Sequence, residues 1–171
     1  MSVLGHARNA TGTTAYGTSH GIVPERATVY NGMRVNIGTV ARSVLTPFLG
    51  LDVSYIRLNS NIRVTTDASW NTPITSFHTP LTSASGFPVM TVFGANGTHS
   101  VNITNISGSV TMWDGSRMDN VIIAIGPSLN PGDSGAALVR GTRVYGTLFG
   151  GASGIVGFSP APMYGSIHVG L

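Results

Sequence analysis

The sequence contains no cysteine and no lysine, and only 9% of its 171 residues are charged. The absence of cysteine excludes a disulfide framework, a thiol nucleophile and a Cys-ligated metal site. All nine basic residues are arginines, and they are scattered along the chain rather than gathered into a run. The net charge of +3 therefore reflects a shortage of acids, and nucleic-acid binding is not expected.

Long apolar runs are also absent from the chain. No stretch approaches the length of a membrane-spanning helix, so no membrane segment is expected. Residues 1–8 lack the apolar core of a signal peptide. Hydrophobic residues nevertheless make up 42% of the chain, which is enough to bury a core and too many for a disordered protein. The compartment stays open among a mature secreted protein, a fragment excised from a longer precursor and an intracellular protein.

Four Asn-x-Ser/Thr sequons occur, at Asn9, Asn96, Asn102 and Asn105. In a secreted eukaryotic protein they would be glycan sites. Because the motif is short and the chain is rich in Asn, Ser and Thr, the favoured interpretation is chance occurrence.

Short β-branched runs, separated by glycines and prolines, dominate the chain. Several of them alternate polar and apolar residues, as half-buried strands do, and turn signals recur about every 8–12 residues. No window has a convincing helical period, so the sequence predicts an all-β sandwich or barrel. A segment rich in Thr, Ser and Pro, residues 71–87, suits a connection between two β halves. The predicted strands are Ala27–Tyr30, Val35–Val40, Val53–Leu58, Val89–Phe93, Val101–Ile106, Val121–Ile125, Ala136–Val139 and Val144–Phe149.

The segment Pro131-Gly132-Asp133-Ser134-Gly135 is the first candidate for chemistry. Its two glycines permit a tight turn with unusual dihedral angles, in which the N–H groups of Gly132 and Ser134 can point into one small space. Such donors are what a developing oxyanion needs. The same five residues also fit an ordinary exposed turn.

A serine nucleophile needs a base within hydrogen-bond reach, and that base needs an orienting acceptor. His20 follows a short strand-like stretch, and Asp52 stands at the head of an apolar strand where it would be half buried. Together with Ser134 they occur in the order His, Asp, Ser. A carboxylate in such a setting can orient an imidazole and stabilise its charged form.

These segments resemble the three catalytic motifs of chymotrypsin-like serine peptidases. The matching segments are Thr18–His20, Asp52–Leu58 and Gly132–Gly135, and their spacing is similar to that in the compact streptogrisin and α-lytic branch. Viral chymotrypsin-like peptidases are the other branch it resembles. The last third of the chain, including Asn130–Leu138 and Gly150–Gly154, carries the strongest likeness.

The resemblance implies an all-β fold of two six-stranded-type antiparallel β-barrels. Residues 1–75 would form the N-terminal half with His20 and Asp52, and residues 76–171 the C-terminal half with Ser134. Only nineteen residues precede His20. We therefore expect a reduced N-terminal barrel, or a sequence that begins inside it.

The resemblance also implies roles for individual residues. His20 would be the general base, Asp52 would hold its tautomer, and Ser134 would attack the peptide carbonyl. The N–H groups of Gly132 and Ser134 would form the oxyanion hole. The remaining predicted positions would contact a peptide or protein substrate: Phe149, Gly150 and Gly151 as an edge strand, and Ser128 and Leu129 as the floor of the specificity pocket.

No acid or base lies near that pocket floor, so the implied preference is for an uncharged side chain, apolar or small. No cofactor and no metal are expected, and His78, His99 and His168 do not share a metal-ligand spacing. His6 is a weaker candidate for the base, because it lies near a terminus. His168 could reach the pocket, as in some acid-preferring relatives.

Two alternatives to a general endopeptidase stay open. One is a viral peptidase that processes its own polyprotein. The other is an inactive homologue that binds peptides or serves as a structural protein. The second alternative depends on Phe149, which stands where the family usually has a small hydroxyl residue that supports the aspartate.

Overall fold

The structure is a computed structural model, and it describes most of the chain outside the C-terminus. The described residues are 3–9, 12–17, 24–30, 33–62, 67–68, 72–73, 75–76, 79–82, 89–94, 97–112, 115–127, 130 and 133–162. Within them the chain is almost entirely β-structure, as the sequence predicted. No helix in this part of the protein approaches the length and apolar character needed to cross a membrane.

The N-terminal half is a five-stranded antiparallel sheet with the order β1-β2-β5-β4-β3. Its described edges, β1 and β3, do not pair with each other, so the sheet is open. This is the reduced form of a six-stranded barrel that was expected for this half. The strands are β1 Val3–Asn9, β2 Gly12–Gly17, β3 Thr28–Tyr30, β4 Asn36–Thr46 and β5 Leu51–Leu58.

The C-terminal half is a closed six-stranded antiparallel barrel in which each strand pairs with two neighbours, in the cyclic order β10-β13-β12-β11-β8-β9. A short pair, β6 Asp67–Ala68 and β7 Thr72–Pro73, lies between the halves in the sequence. The barrel strands are β8 Val89–Gly94, β9 Gly97–Thr111, β10 Arg117–Ile125, β11 Ala137–Arg140, β12 Arg143–Ala152 and β13 Ile155–Pro160.

The barrel interior is an apolar core whose members are exposed by 2% or less. Strand alternation sends every second side chain inward, which is why β-branched and aliphatic residues recur at that period. Glycines lie where β8 meets β9 and where β9 meets β10: Gly94 pairs with Gly97, and the Gly115 N–H donates to the Met112 carbonyl. The core consists of Val101, Ile103, Ile122, Ala124, Ala136, Leu138, Leu148, Val156 and Phe158.

The linking segment joins the barrel before β8 begins. The Thr75 N–H donates to the Thr142 carbonyl at 2.8 Å, and Ser76 forms a parallel bridge with Arg143. Leu81 packs against the barrel core. Thr75, the last residue of the predicted N-terminal half, thus already bonds to the C-terminal barrel, and the division at residue 75 stays a prediction.

A 3₁₀ helix, Pro47–Leu49, connects β4 to β5 and was not predicted. Three residues are too few to show a helical period, although proline at a helix start and glycine after a helix end are both favourable. Gly50 ends the helix at φ 65, and a Cβ there would lie 2.7 Å from the Asp119 carbonyl oxygen on β10. The turn can therefore pack directly on the barrel because Gly50 has no side chain.

The two halves contact each other through this turn, through β5 and through the end of β13. The Asn120 amide donates to the Phe48 carbonyl at 2.7 Å and accepts from the Ser107 hydroxyl at 3.1 Å. Beside it, the Ser109 hydroxyl and the Arg117 guanidinium bind the exposed Asp119 carboxylate and lower its pKa. An apolar cluster, Leu51, Val53, Tyr55 and Ala161, buries the rest of the contact.

Asn120 adopts a left-handed backbone conformation at φ 56, which asparagine and glycine tolerate better than other residues. We predict that Asn120→Ala lowers the free energy of unfolding by about 1–3 kcal/mol, because it adds backbone strain and removes two hydrogen bonds. Asn120→Gly removes the same bonds without the strain and should lose less. Urea denaturation measures both, and an Ala variant as stable as the Gly variant would contradict this account.

Candidate active site

Asp52 lies at the start of β5 and is only 6% exposed, so it is more deeply buried than the half-burial predicted from its strand. Both faces of β5 are covered. Leu51, Val53 and Tyr55 pack with Ala161 of the C-terminal half. On the opposite face, Ile56 packs in the core of the N-terminal sheet. By strand alternation the Asp52 side chain shares the face of Ile56, while its neighbours Leu51 and Val53 form the contact with the C-terminal half.

Two hydroxyls lie near Asp52 and were not singled out from the sequence. The backbone N–H of Asp52 donates to the Ser159 hydroxyl of β13 at 3.1 Å. Ser54, two residues further along the same face of β5, shares a hydrogen bond of 2.9 Å with Ser43 of β4. Only the tertiary fold brings Ser159 to Asp52, because 107 residues separate them in sequence.

Ser134 stands at a turn that leads into β11, and it is partly exposed. The Ala136 N–H donates to the Asp133 carbonyl at 2.9 Å, which closes a four-residue turn. Gly135, its third residue, has φ 88, as a type II turn requires at that position. Gly135 therefore adopts the unusual backbone dihedral angle that was predicted for it. Ser134, the candidate nucleophile, occupies the second position of the turn.

Asp133 holds this turn in place through two hydrogen bonds to Asn130, a role that was not predicted from the sequence. It is 1% exposed, and its carboxylate accepts the Asn130 N–H at 2.9 Å. In return the Asp133 N–H donates to the Asn130 carbonyl at 3.1 Å. The Gly135 N–H donates to the Leu148 carbonyl at 2.7 Å, so the turn is attached to β12 on its other side.

The Phe149 side chain is buried rather than directed at solvent. It is 2% exposed and packs with Met118 and Val121 of β10. A Cβ on Gly157 of β13 would lie 2.4 Å from the Phe149 ring, so the ring lies directly over a residue without a side chain. If Phe149 contacts a peptide as predicted, it must do so through its backbone.

Gly150 and Gly151, the other two residues of the predicted substrate strand, pair with Gly157 and Val156 of β13. The ladder between β12 and β11 ends at Thr147, before these glycines. Within the described residues, the pairing of Gly150 and Gly151 is therefore on one side only. This is the geometry of an edge that an extended peptide can join.

Several predicted site residues lie outside the described residues. These are His20, Gly132, Ser128, Leu129 and His168. The structure brings Asp52 and Ser134 to two adjoining halves, while the positions of the base and of the second oxyanion donor stay predictions.

His6 lies in β1, and His99 lies in β9. The Nε2 atom of His99 is buried and has no hydrogen-bond partner among the described residues. No group of three His, Asp or Glu side chains in the described part of the chain could hold a metal ion.

Comparison with solved structures identifies the fold. No family model matches the chain, and no curated protein matches it in sequence. Solved structures that match nearly the whole chain include Thermobifida fusca protease A (TM-score 0.76, 20% identity, 98% of this chain and 88% of that one) and Cellulomonas bogoriensis chymotrypsin (TM-score 0.73, 22% identity, 91% and 82%). An α-lytic protease homologue also matches (TM-score 0.69, 18% identity, 97% and 89%).

These matches confirm the fold that the sequence motifs predicted. The protein has the double-barrel fold of the chymotrypsin-like serine proteases, with a five-stranded open sheet in place of a closed N-terminal barrel. At 18–22% identity the likeness establishes the architecture alone. Catalytic roles must therefore be argued from the residues of this chain.

The contact between Phe149 and Gly157 gives a prediction about packing within the C-terminal barrel. Gly157→Ala should destabilise the protein by about 1–3 kcal/mol, because the new methyl group overlaps the aromatic ring. Adding Phe149→Leu to Gly157→Ala should recover part of that loss, while Phe149→Leu alone should cost under about 1.5 kcal/mol. Thermal unfolding of the four proteins tests the coupling, and strictly additive effects would refute the proposed overlap.

Proposed function

We propose that the protein is a serine endopeptidase in which Ser134, His20 and Asp52 form a catalytic triad. The observation that carries this proposal is the turn at Ser134. A partly exposed hydroxyl stands at the corner of a turn that is fixed by Asp133, Gly135 and their hydrogen bonds to neighbouring segments. The fold supports it, because this turn and the buried Asp52 belong to two adjoining halves of a protease architecture.

The proposed reaction proceeds by acylation and deacylation. The Ser134 Oγ atom attacks the peptide carbonyl while His20 accepts its proton and passes it to the leaving amine. Water then hydrolyses the acyl-enzyme with His20 again acting as the base. Asp52 holds the imidazole in the required tautomer and stabilises its charged form.

Backbone groups would supply the rest of the site. The N–H groups of Gly132 and Ser134 are proposed to bind the oxyanion. The one-sided pairing of Gly150 and Gly151 with β13 supports the proposal that a substrate backbone joins β12 as an added strand. Ser128 and Leu129 would form the pocket floor, with a preference for an uncharged side chain.

A fluorophosphonate probe tests the nucleophile, since it reacts with a serine only when that serine is activated. We predict that the wild-type protein is labelled once and that Ser134→Ala abolishes labelling, because the attacking oxygen is lost. Ser100→Ala, which removes an exposed hydroxyl from β9 of the same barrel, should be labelled like the wild type.

The same measurement separates the alternatives. Labelling that persists in Ser134→Ala, or a folded wild type that is never labelled, would rule out the proposed nucleophile and favour an inactive homologue. Labelling at Ser134 without turnover of any added peptide would favour a peptidase that processes only its own precursor.

The base is tested by pH. The rate of labelling should fall as the pH drops below about 6.5–7, because only the neutral imidazole can accept the serine proton. His20→Ala should slow labelling by about 10²–10⁴-fold at pH 8. The rate should be unchanged in His6→Ala. If His6→Ala is labelled slowly and His20→Ala is labelled at the wild-type rate, His6 and not His20 is the base. A labelling rate that stays constant down to pH 4 would exclude a histidine base altogether.

A further inference from the structure

We propose that Ser159 is a positioning residue that holds Asp52 at a fixed distance from the nucleophile turn. This inference rests on the triad proposed above and adds a residue to it that touches neither substrate nor the reacting atoms. It depends on one hydrogen bond between the halves and on the strand register that connects that bond to Ser134.

The bond joins the backbone of Asp52 to the side chain of Ser159. The Asp52 N–H donates to the Ser159 Oγ atom at 3.1 Å, and Ser159 is fully buried at 0% exposure. Water does not compete for a bond in this position, and removal of the acceptor would leave a buried donor without this partner. The hydroxyl is thus a specific requirement of the contact.

The strand pairing explains why Asp52 needs a partner from the other half. β2 pairs with β5 from Arg57 to Ser54, and the described pairing ends there. Asp52 lies two residues beyond the last described pair with β2; it still pairs with Leu45 of β4, and its N–H donates to Ser159 of β13. Ser159 therefore fixes the part of β5 that carries the carboxylate.

The barrel connects Ser159 to the nucleophile turn in two strand steps. Ser159 pairs with Thr147 of β12, and Thr147 pairs with Ala137 of β11. Ala137 comes three residues after Ser134. Adjacent strands lie about 4.8 Å apart, so this row spans about 10 Å of hydrogen-bonded sheet. Because Ser159 binds the Asp52 backbone N–H, it fixes the position of Asp52 relative to this row of strands and to the turn at Ser134.

Other contacts hold the halves together without the Ser159 hydroxyl. Ala161 packs in the apolar cluster on β5, and Asn120 bonds to the 3₁₀ helix. Loss of the Ser159 hydroxyl should therefore leave the halves docked while Asp52 becomes less well placed. The expected consequence is a slower reaction in a folded protein.

The experiment measures the rate of fluorophosphonate labelling between pH 5 and 9 for the full-length wild type and for Ser159→Ala and Ser159→Thr. Because a misplacement of 1 Å can cost 10²-fold, we expect Ser159→Ala to be slower by about tenfold. The acid limb of its pH profile should move to lower pH, since a displaced carboxylate stabilises the imidazolium less. Ser159→Thr keeps the hydroxyl and should recover most of the rate.

Ser43→Ala is the matched control. It removes a partly buried hydroxyl of β4 that bonds to Ser54, which lies two residues from Asp52 on β5. Its labelling rate and pH profile should match the wild type. Equal slowing in Ser43→Ala and Ser159→Ala, without a pH shift, would mean general loosening and would overturn the positioning role.

The outcomes also separate this inference from the proposed function. If the wild type labels at Ser134 and Ser159→Ala matches it in rate and pH profile, Ser159 has no positioning role and the triad stands. If the folded wild type does not label, both proposals fail. Should thermal unfolding show that Ser159→Ala does not fold, Ser159→Cys retains the volume with a weaker acceptor, and a wild-type rate in that variant overturns the inference.

Discussion

The contact between β5 and the outer surface of the C-terminal barrel is the constraint on which the rest of the structure depends. It brings a carboxylate from an open five-stranded sheet beside a closed barrel that carries the serine turn. The contact has three parts of different chemistry: the turn at Gly50 packs on β10, an apolar cluster surrounds Ala161, and a buried hydrogen bond joins Asp52 to Ser159. The apolar part contributes most of the attraction, whereas the hydrogen bond fixes the register, because it is directional and burial is not.

The closed barrel is what makes such a fixed register useful. In a closed sheet each strand is bonded on both sides, so the turn at Ser134 is attached to β12 through Leu148 and to the core through Ala136. The N-terminal sheet has open edges and fewer constraints of its own. Strand β5 packs against the barrel, which explains why it is buried on both faces, whereas the edge strand β3 keeps two of its three residues exposed.

The sequence predicts the strands well where β-branched residues run without interruption and poorly where they do not. β5, β10 and β12 contain their predicted runs, and β4 contains all of its predicted run except Val35. β13 was not predicted, because Gly157 and Pro160 are residues typical of turns. The Phe149 ring, which lies where a Cβ of residue 157 would be, explains why this strand contains a glycine. The Ser134 turn was predicted from Gly135, whereas Asn130, Asp133 and Ser159 matter through contacts that no local pattern reveals. The position of His20 stays a prediction from its order and spacing.

Scarcity of charge links the composition to the site. A buried carboxylate persists only where donors satisfy it, and proteins commonly use arginine or lysine for this purpose. Here the Asp133 carboxylate accepts a hydrogen bond from the Asn130 backbone N–H, which is a neutral donor. A backbone donor has no long flexible side chain, so less conformational entropy is lost when it is fixed. A chain with 9% charged residues can therefore use a neutral backbone donor at a buried carboxylate, because the donor's segment is itself held by the bond from the Asp133 N–H to the Asn130 carbonyl.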